Sequence, residues 1–183
     1  MTYGFDDCLK YSRGDSETND LTILKNKIIG CLSVEKTSIE IDKKGIDYIA
    51  TLRNGATVKI DAKTRKKGCK AQWKTNEPEL ALEIWSVIGK KTGWTLDEKK
   101  EVDLILYTFN KTDTLNFYIL PFQQLRIAFS RNCNEWKTDY KPRKQNSCRK
   151  GNTWVSECMF VPAKVVIEAI MAEMVHEFDI ATV

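Results

Sequence analysis

The chain has 183 residues, 42% hydrophobic and 30% charged, with a net charge of +4; this is a globular mixture with apolar side chains enough for a core. No stretch approaches the roughly 20 apolar residues of a membrane span, and the N-terminal residues lack the basic-then-apolar order of a secretory signal, so the expectation is a cytoplasmic protein without a membrane partner. Six cysteines without a C-x-x-C pair argue for reduced thiols rather than a compact zinc site, and a lone His176 argues against zinc-peptidase and Ser/His or Cys/His chemistry.

The polar first twenty residues predict irregular chain, followed by a helix over 21–29 with Asp20 as its N-cap. A strand is expected within 33–41. The best-defined unit comes next, over 45–63, where two β-rich runs flank Asn54-Gly55, a strong hairpin signal. Tyr48, Ala50 and Leu52 share one face of the first strand, and Val58, Ile60 and Ala62 share one face of the second. A two-residue loop would set these apolar faces against each other. A three-residue loop, Arg53-Asn54-Gly55, aligns them by facing Ala50 with Val58 and Tyr48 with Ile60. Asp47 then falls opposite Asp61.

Beyond the hairpin, basic loop-like chain runs to about residue 78. A helix is expected over 79–88, from Leu80, Ile84, Val87 and Ile88 at helical spacing. A strand is expected over 103–109, where a continuous apolar run from Leu104 to Tyr107 predicts burial on both faces. Another strand is expected over 115–122, a helix over 123–131, a basic loop over 138–152 and a strand over 154–161. The last and longest helix, over 163–178, turns Val166, Ile167, Ile170, Met174 and Phe178 inward.

Two carboxylates on neighbouring strands, with Cβ atoms about 5 Å apart, repel each other unless a cation lies between them. Mg²⁺ or Mn²⁺ favours such hard oxygen ligands and activates water for phosphodiester hydrolysis. Lys63, two residues beyond Asp61, shares its face and can orient the water or stabilise charge on the phosphate. D-x-K alone recurs by chance, and exposed strands often carry Asp and Lys as simple ion pairs. The combination with a G-I-D strand start and a hairpin of matching parity is more specific.

Gly45-Ile46-Asp47 followed by Asp61-Ala62-Lys63 resembles the D-(x)n-[D/E]-x-K signature of the PD-(D/E)XK nuclease superfamily, and the short chain also resembles small phage-encoded nucleases. The resemblance implies an α/β (α+β), restriction-endonuclease-like fold, with a mixed central sheet flanked by helices. It implies one domain over 1–183, with a core at about 21–109 and family-specific decoration over 110–183. By the same resemblance Asp47 and Asp61 are metal ligands together with the Ala62 backbone carbonyl, Lys63 is the catalytic lysine, and Mg²⁺ or Mn²⁺ is the cofactor. The substrate is nucleic acid, DNA before RNA, and many relatives act as homodimers. The expected setting is the cytoplasm of a bacterial or phage-infected cell. The chain departs from the pattern at Ile46, which stands in place of a proline that many members also lack, and at Asp61, where Glu is commoner. The first helix often adds a carboxylate, for which Asp20 and Glu17 are the candidates.

Arg65, Lys66, Lys67 and Lys70, with Gln72 after them, follow the D-x-K strand, and Arg143, Lys144, Arg149 and Lys150 form a second basic cluster. Both sets suit phosphate contacts or two solvated loops. Two rival functions stand beside the nuclease. One is a catalytically inactive protein on the same scaffold that binds nucleic acid or a host protein. The other is a structural protein in which Asp47 and Asp61 line a polar surface.

Overall fold

Two five-stranded sheets carry the chain, and the computed structural model describes residues 2–4, 15–65, 78–110, 115–149 and 151–181. In chain order the elements begin with β1 (Thr2–Gly4), α1 (Asp15–Lys27), β2 (Cys31–Lys36), α2 (Ile39–Asp42), β3 (Tyr48–Leu52), β4 (Thr57–Arg65) and β5 (Glu79–Val87). They continue with β6 (Lys91–Thr92), β7 (Leu104–Asn110), β8 (Leu115–Pro121), α3 (Phe122–Asp139), β9 (Arg143–Arg149), β10 (Asn152–Pro162) and α4 (Ala163–Ala181). Helices and mixed sheets make the class α+β, as expected. The chain forms two compact units from interleaved segments. A hairpin unit takes Asp6–Lys70 and Lys99–Phe122, and a second unit takes Met1–Phe5, Ala71–Glu98 and Gln123–Val183. Residues 21–109 thus contribute to both.

In the hairpin unit the strand order is β2-β3-β4-β7-β8, antiparallel throughout except for β4 beside β7. The β3–β4 loop is the three-residue form expected. Gly55 adopts φ 82°, a left-handed conformation that only glycine takes without strain, and Leu52 N–H donates to the Ala56 carbonyl at 2.8 Å. The register pairs Tyr48 with Ile60 and Ala50 with Val58. One face of the sheet is therefore apolar and packs under α1, where Ile23, Leu24, Tyr48, Ala50, Ile60 and Leu106 form a buried cluster. Complete burial of a side chain such as Leu24 or Ile60 contributes about 1.5–3 kcal/mol. β7 is buried on both faces, by Ile105, Tyr107 and Phe109 on one and Leu106 and Thr108 on the other.

Local expectations changed in this unit. α1 starts at Asp15, so Asp20 is inside the helix and is not its N-cap. The helix gives way to β2 through Gly30, whose φ of 73° suits the residue that follows a helix end. β2 stops at Lys36, and Ile39–Asp42 is a helical turn rather than more strand. Parallel neighbours such as β4 and β7 need a long crossover. The chain leaves at Arg65, returns at Leu104, and builds β5 and β6 of the other sheet on the way.

The second unit has the order β1-β9-β10-β5-β6, with β1 and β9 parallel and the other pairs antiparallel. β5 replaces the helix expected over 79–88. Leu80, Leu82 and Ile84 are buried while the residues between them are less so, which is a period of two. β9 replaces much of the basic loop expected over 138–152, because it has a strand on each side to satisfy its backbone. α3 continues past residue 131 to Asp139, burying Leu125, Phe129 and Trp136 along one face. α4 turns Val166 and Ile170 inward as expected. Met174 is exposed, however, and Glu173 takes the buried position beside it, with its Oε2 2.7 Å from Arg131 Nη1; the Phe178 side chain lies outside the described residues. No helix among the described residues is long and apolar enough to cross a membrane.

Candidate active site

The site lies on the face of the hairpin sheet opposite the α1 cluster. Asp47 sits just before β3, and its backbone N–H donates to the Ile60 carbonyl at 2.9 Å, which extends the ladder by one step. Its Oδ2 accepts from the Ala62 N–H at 2.7 Å. Asp47 and Asp61 thereby meet across the two strands, as the hairpin parity requires. Thr37 secures the same turn, since its backbone N–H donates to the Asp47 carbonyl at 2.9 Å and its hydroxyl to the Ile46 carbonyl at 2.5 Å.

Asp61 is almost wholly buried, at 1% side-chain exposure, between two ammonium groups. Lys63 Nζ, 30% exposed, bonds Oδ1 at 2.6 Å, and Lys100 Nζ, only 6% exposed, lies 2.8 Å from Oδ2. The second contact is an ion pair lying off the line of a well-formed hydrogen bond. Lys100 also donates to the Gly45 carbonyl at 3.1 Å. A methyl group on Gly45, whose φ is 80°, would come within 2.4 Å of Lys100 Nζ. The turn at φ 80° is what requires glycine here, and the missing side chain leaves room for the flexible tip of the lysine.

The two carboxyls titrate apart. Burial and the neighbouring Asp61 push Asp47 up to about 7. Burial also acts to raise Asp61, but Lys63 and Lys100 outweigh it and hold Asp61 below the usual carboxylate range. Near neutral pH, Asp47 is therefore part protonated beside a charged Asp61. A pair that keeps a proton near neutral pH is one whose repulsion a divalent cation would relieve. The donor set fits such an ion. Both carboxylates are hard oxygen ligands, and the Ala62 carbonyl leaves β4 on the same edge as the N–H that meets Asp47. Asp47, Asp61 and the Ala62 carbonyl would hold Mg²⁺ or Mn²⁺. Among the described residues no group of three His, Cys, Asp or Glu side chains gathers to make a fuller site.

Asp20 is on the other side of the sheet. It is buried, and its Oδ2 accepts from the Tyr48 hydroxyl at 3.3 Å, while Oδ1 has no hydrogen-bond partner. Burial pushes it up to about 6, Tyr48 acting against this and Glu17 with it. Glu17 pairs with Lys36. Neither acid joins the Asp47–Asp61 pair.

Arg65 shares the face of Asp61 and Lys63, two residues further along β4. Lys66, Lys67, Lys70, Gln72 and Lys150 lie outside the described residues. Arg143 and Lys144 are neighbours on β9 of the second unit, so their side chains point to opposite faces of that sheet. Arg143 sits over the Phe160 ring at 5.0 Å, and Lys144 lies opposite Glu157. Those two do not form one patch. Arg149 ends the same strand.

Sequence reasoning missed Lys100 and Thr37. Neither has a local signature, because each reaches the site through the tertiary fold. Compared with protein-family models, with curated proteins and with solved structures, the chain matches none.

Proposed function

We propose that the protein is a metal-dependent nuclease that hydrolyses phosphodiester bonds in DNA, with the Asp47–Asp61–Lys63 face as its active site. The observation that carries this reading is the meeting of two carboxylates across a hairpin, one holding a proton near neutral pH, with a partly exposed lysine on the same face. Bound Mg²⁺ or Mn²⁺ would supply an activated water and neutralise charge on the phosphate oxygens. The chain's own residues do the rest. Asp47 and Asp61 present the ligand oxygens, and Asp47 is the carboxyl that must give up its proton for the site to load. Lys63 can turn its ammonium from Asp61 toward the charge that builds on the phosphate. Arg65 extends the positive face along the path of a backbone.

The test is incubation with plasmid, linear and branched DNA and with RNA, each with Mg²⁺, Mn²⁺ or chelator. Cleavage is expected with metal only, and Lys63→Ala should slow it about 10²–10⁴-fold, the usual contribution of a positioned proton-transfer or charge-stabilising group. Cleavage by Lys63→Ala and Asp47→Asn at the parent rate would sink the assignment.

A second reading draws on the double pairing of Asp61 with Lys63 and Lys100. A carboxylate so fully neutralised also suits a scaffold that binds nucleic acid or a host protein without cutting. An Mn²⁺ titration separates the two, because the binder should show no uptake that depends on Asp47.

A further inference from the structure

Lys100 is not needed by the D-x-K pattern, which already supplies Lys63. It is nonetheless the more buried of the two lysines, at 6% against 30% side-chain exposure. Burying an ammonium is costly unless a partner compensates it. The compensation here consists of Asp61 Oδ2 at 2.8 Å and the Gly45 carbonyl at 3.1 Å. One is an oxygen of a proposed metal ligand. The other belongs to the turn two residues before the second proposed ligand. Lys100 Nζ comes so near the Gly45 backbone that a Cβ there would stand 2.4 Å from it. A single positive group therefore spans the Asp61 strand and the Asp47 turn, taking oxygens of the kind that a hard divalent cation prefers.

We infer that Lys100 is the built-in counter-cation of this site, holding Asp61 in the absence of metal and giving way when a divalent cation binds. The inference rests on the metal-site reading above. Lys100 keeps the buried carboxylate charged and the two strands in place before loading. It also raises the concentration of metal needed, because a monocation and a dication a few ångströms apart repel strongly inside a protein. Lys100 is a positioning residue and not a catalytic one. Its effect passes through Asp61.

The experiment is a calorimetric Mn²⁺ titration of the parent protein, Lys100→Met, Lys100→Arg and Asp47→Asn. Lys100→Met should bind Mn²⁺ about tenfold more tightly or better, a conservative share of that repulsion. Its melting temperature should be lower than the parent's without metal and should recover with saturating Mn²⁺. Lys100→Arg, which keeps the charge, should bind as the parent does. Lysine acetylation of the parent followed by mass spectrometry needs no variant and decides the matter should Lys100→Met fail to fold. Acetylation of Lys100 relative to the half-exposed Lys59 should rise several-fold when Mn²⁺ is added. Equal or weaker binding by Lys100→Met, or Lys100 acetylation unchanged by Mn²⁺ while the parent binds it through Asp47, overturns the counter-cation and leaves the metal site standing. If neither the parent nor Lys100→Met takes up Mn²⁺ in a way that depends on Asp47, the metal-site reading itself fails and the counter-cation with it.

Discussion

Asp47 and Asp61 differ less in chemistry than in company. Asp47 keeps its proton up to about pH 7, and Asp20, beneath Tyr48, up to about 6, whereas Asp61 is held low by its two lysines. For Asp47 and Asp20 the folded-state value is above the unfolded one. The stability they contribute is complete below the ordinary carboxyl value of about 4 and is lost as pH rises through their folded values. Asp61 works in reverse, its contribution being present above the ordinary value and lost on acidification. The metal-free protein should therefore lose stability from about pH 4 to pH 7, and Asp47→Asn should flatten that decline in urea midpoints measured across the range. A decline as steep as the parent's would show that Asp47 is not the group responsible. The same pairings decide which substitution is a clean probe. Lys63→Ala leaves Asp61 its contact with Lys100 and should fold normally. Asp61→Ala strands Lys100 in the interior and should lower stability by about 3–5 kcal/mol, read from chemical denaturation. Lost activity in Asp61→Ala thus cannot be assigned to chemistry alone. Asp47, Asp61 and Lys63 could be read from the sequence because strand alternation ties them together within seventeen positions. Lys100 could not, because it lies in a plain charged run, Lys99-Lys100-Glu101, and meets Asp61 only through the chain's return to β7.

At the level of elements, the hairpin was legible because three signals agree: an Asn-Gly turn, two apolar faces of fixed parity, and the loop length that reconciles them. Gly55 carries the loop at φ 82°, so Gly55→Ala should destabilise by about 1 kcal/mol through strain in the left-handed region. Deleting Asn54 is a harsher test. It forces a two-residue loop, sets even positions against odd ones, and should abolish both cooperative melting and any Mn²⁺ uptake through Asp47. A deletion variant that melts and binds like the parent would refute the register argument. β5 was misread for an identifiable reason. Leu80 and Ile84 lie four apart and satisfy a helical stripe, but Leu82 between them is buried as well, which only a strand face explains. β9 had no pattern to read. Arg143–Arg149 contains no Val, Ile, Leu or aromatic residue, and it is a strand only because β1 and β10 supply partners on both sides. Met174 shows how one paired charge re-aims a helix, since Glu173 is buried against Arg131 in the place an apolar stripe would give to its neighbour.

The whole molecule is two units threaded through one another in sequence, and this was the least legible level. Composition reports total apolar content but does not say how a chain divides it. The crossover between β4 and β7, expected to hold a helix, instead contributes β5 and β6 to another sheet. A fragment ending at residue 110 should therefore not fold, although it contains the whole stretch, 21–109, expected from the sequence to be the core. β7 would lose β8, its antiparallel neighbour, and β5 would lose β10, its partner over six registered positions. Cooperative melting of that fragment would show that the units are more self-sufficient than their strand pairing indicates. The interleaving also sorts the chromophores. Of the five tryptophans the four in described residues, Trp85, Trp94, Trp136 and Trp154, belong to the second unit, while the segments that build the hairpin unit contain no tryptophan at all. Indole fluorescence thus has no chromophore within the sheet that carries Asp47 and Asp61. A tryptophan placed at Phe117, on the margin of the α1 cluster, would make that dark half visible.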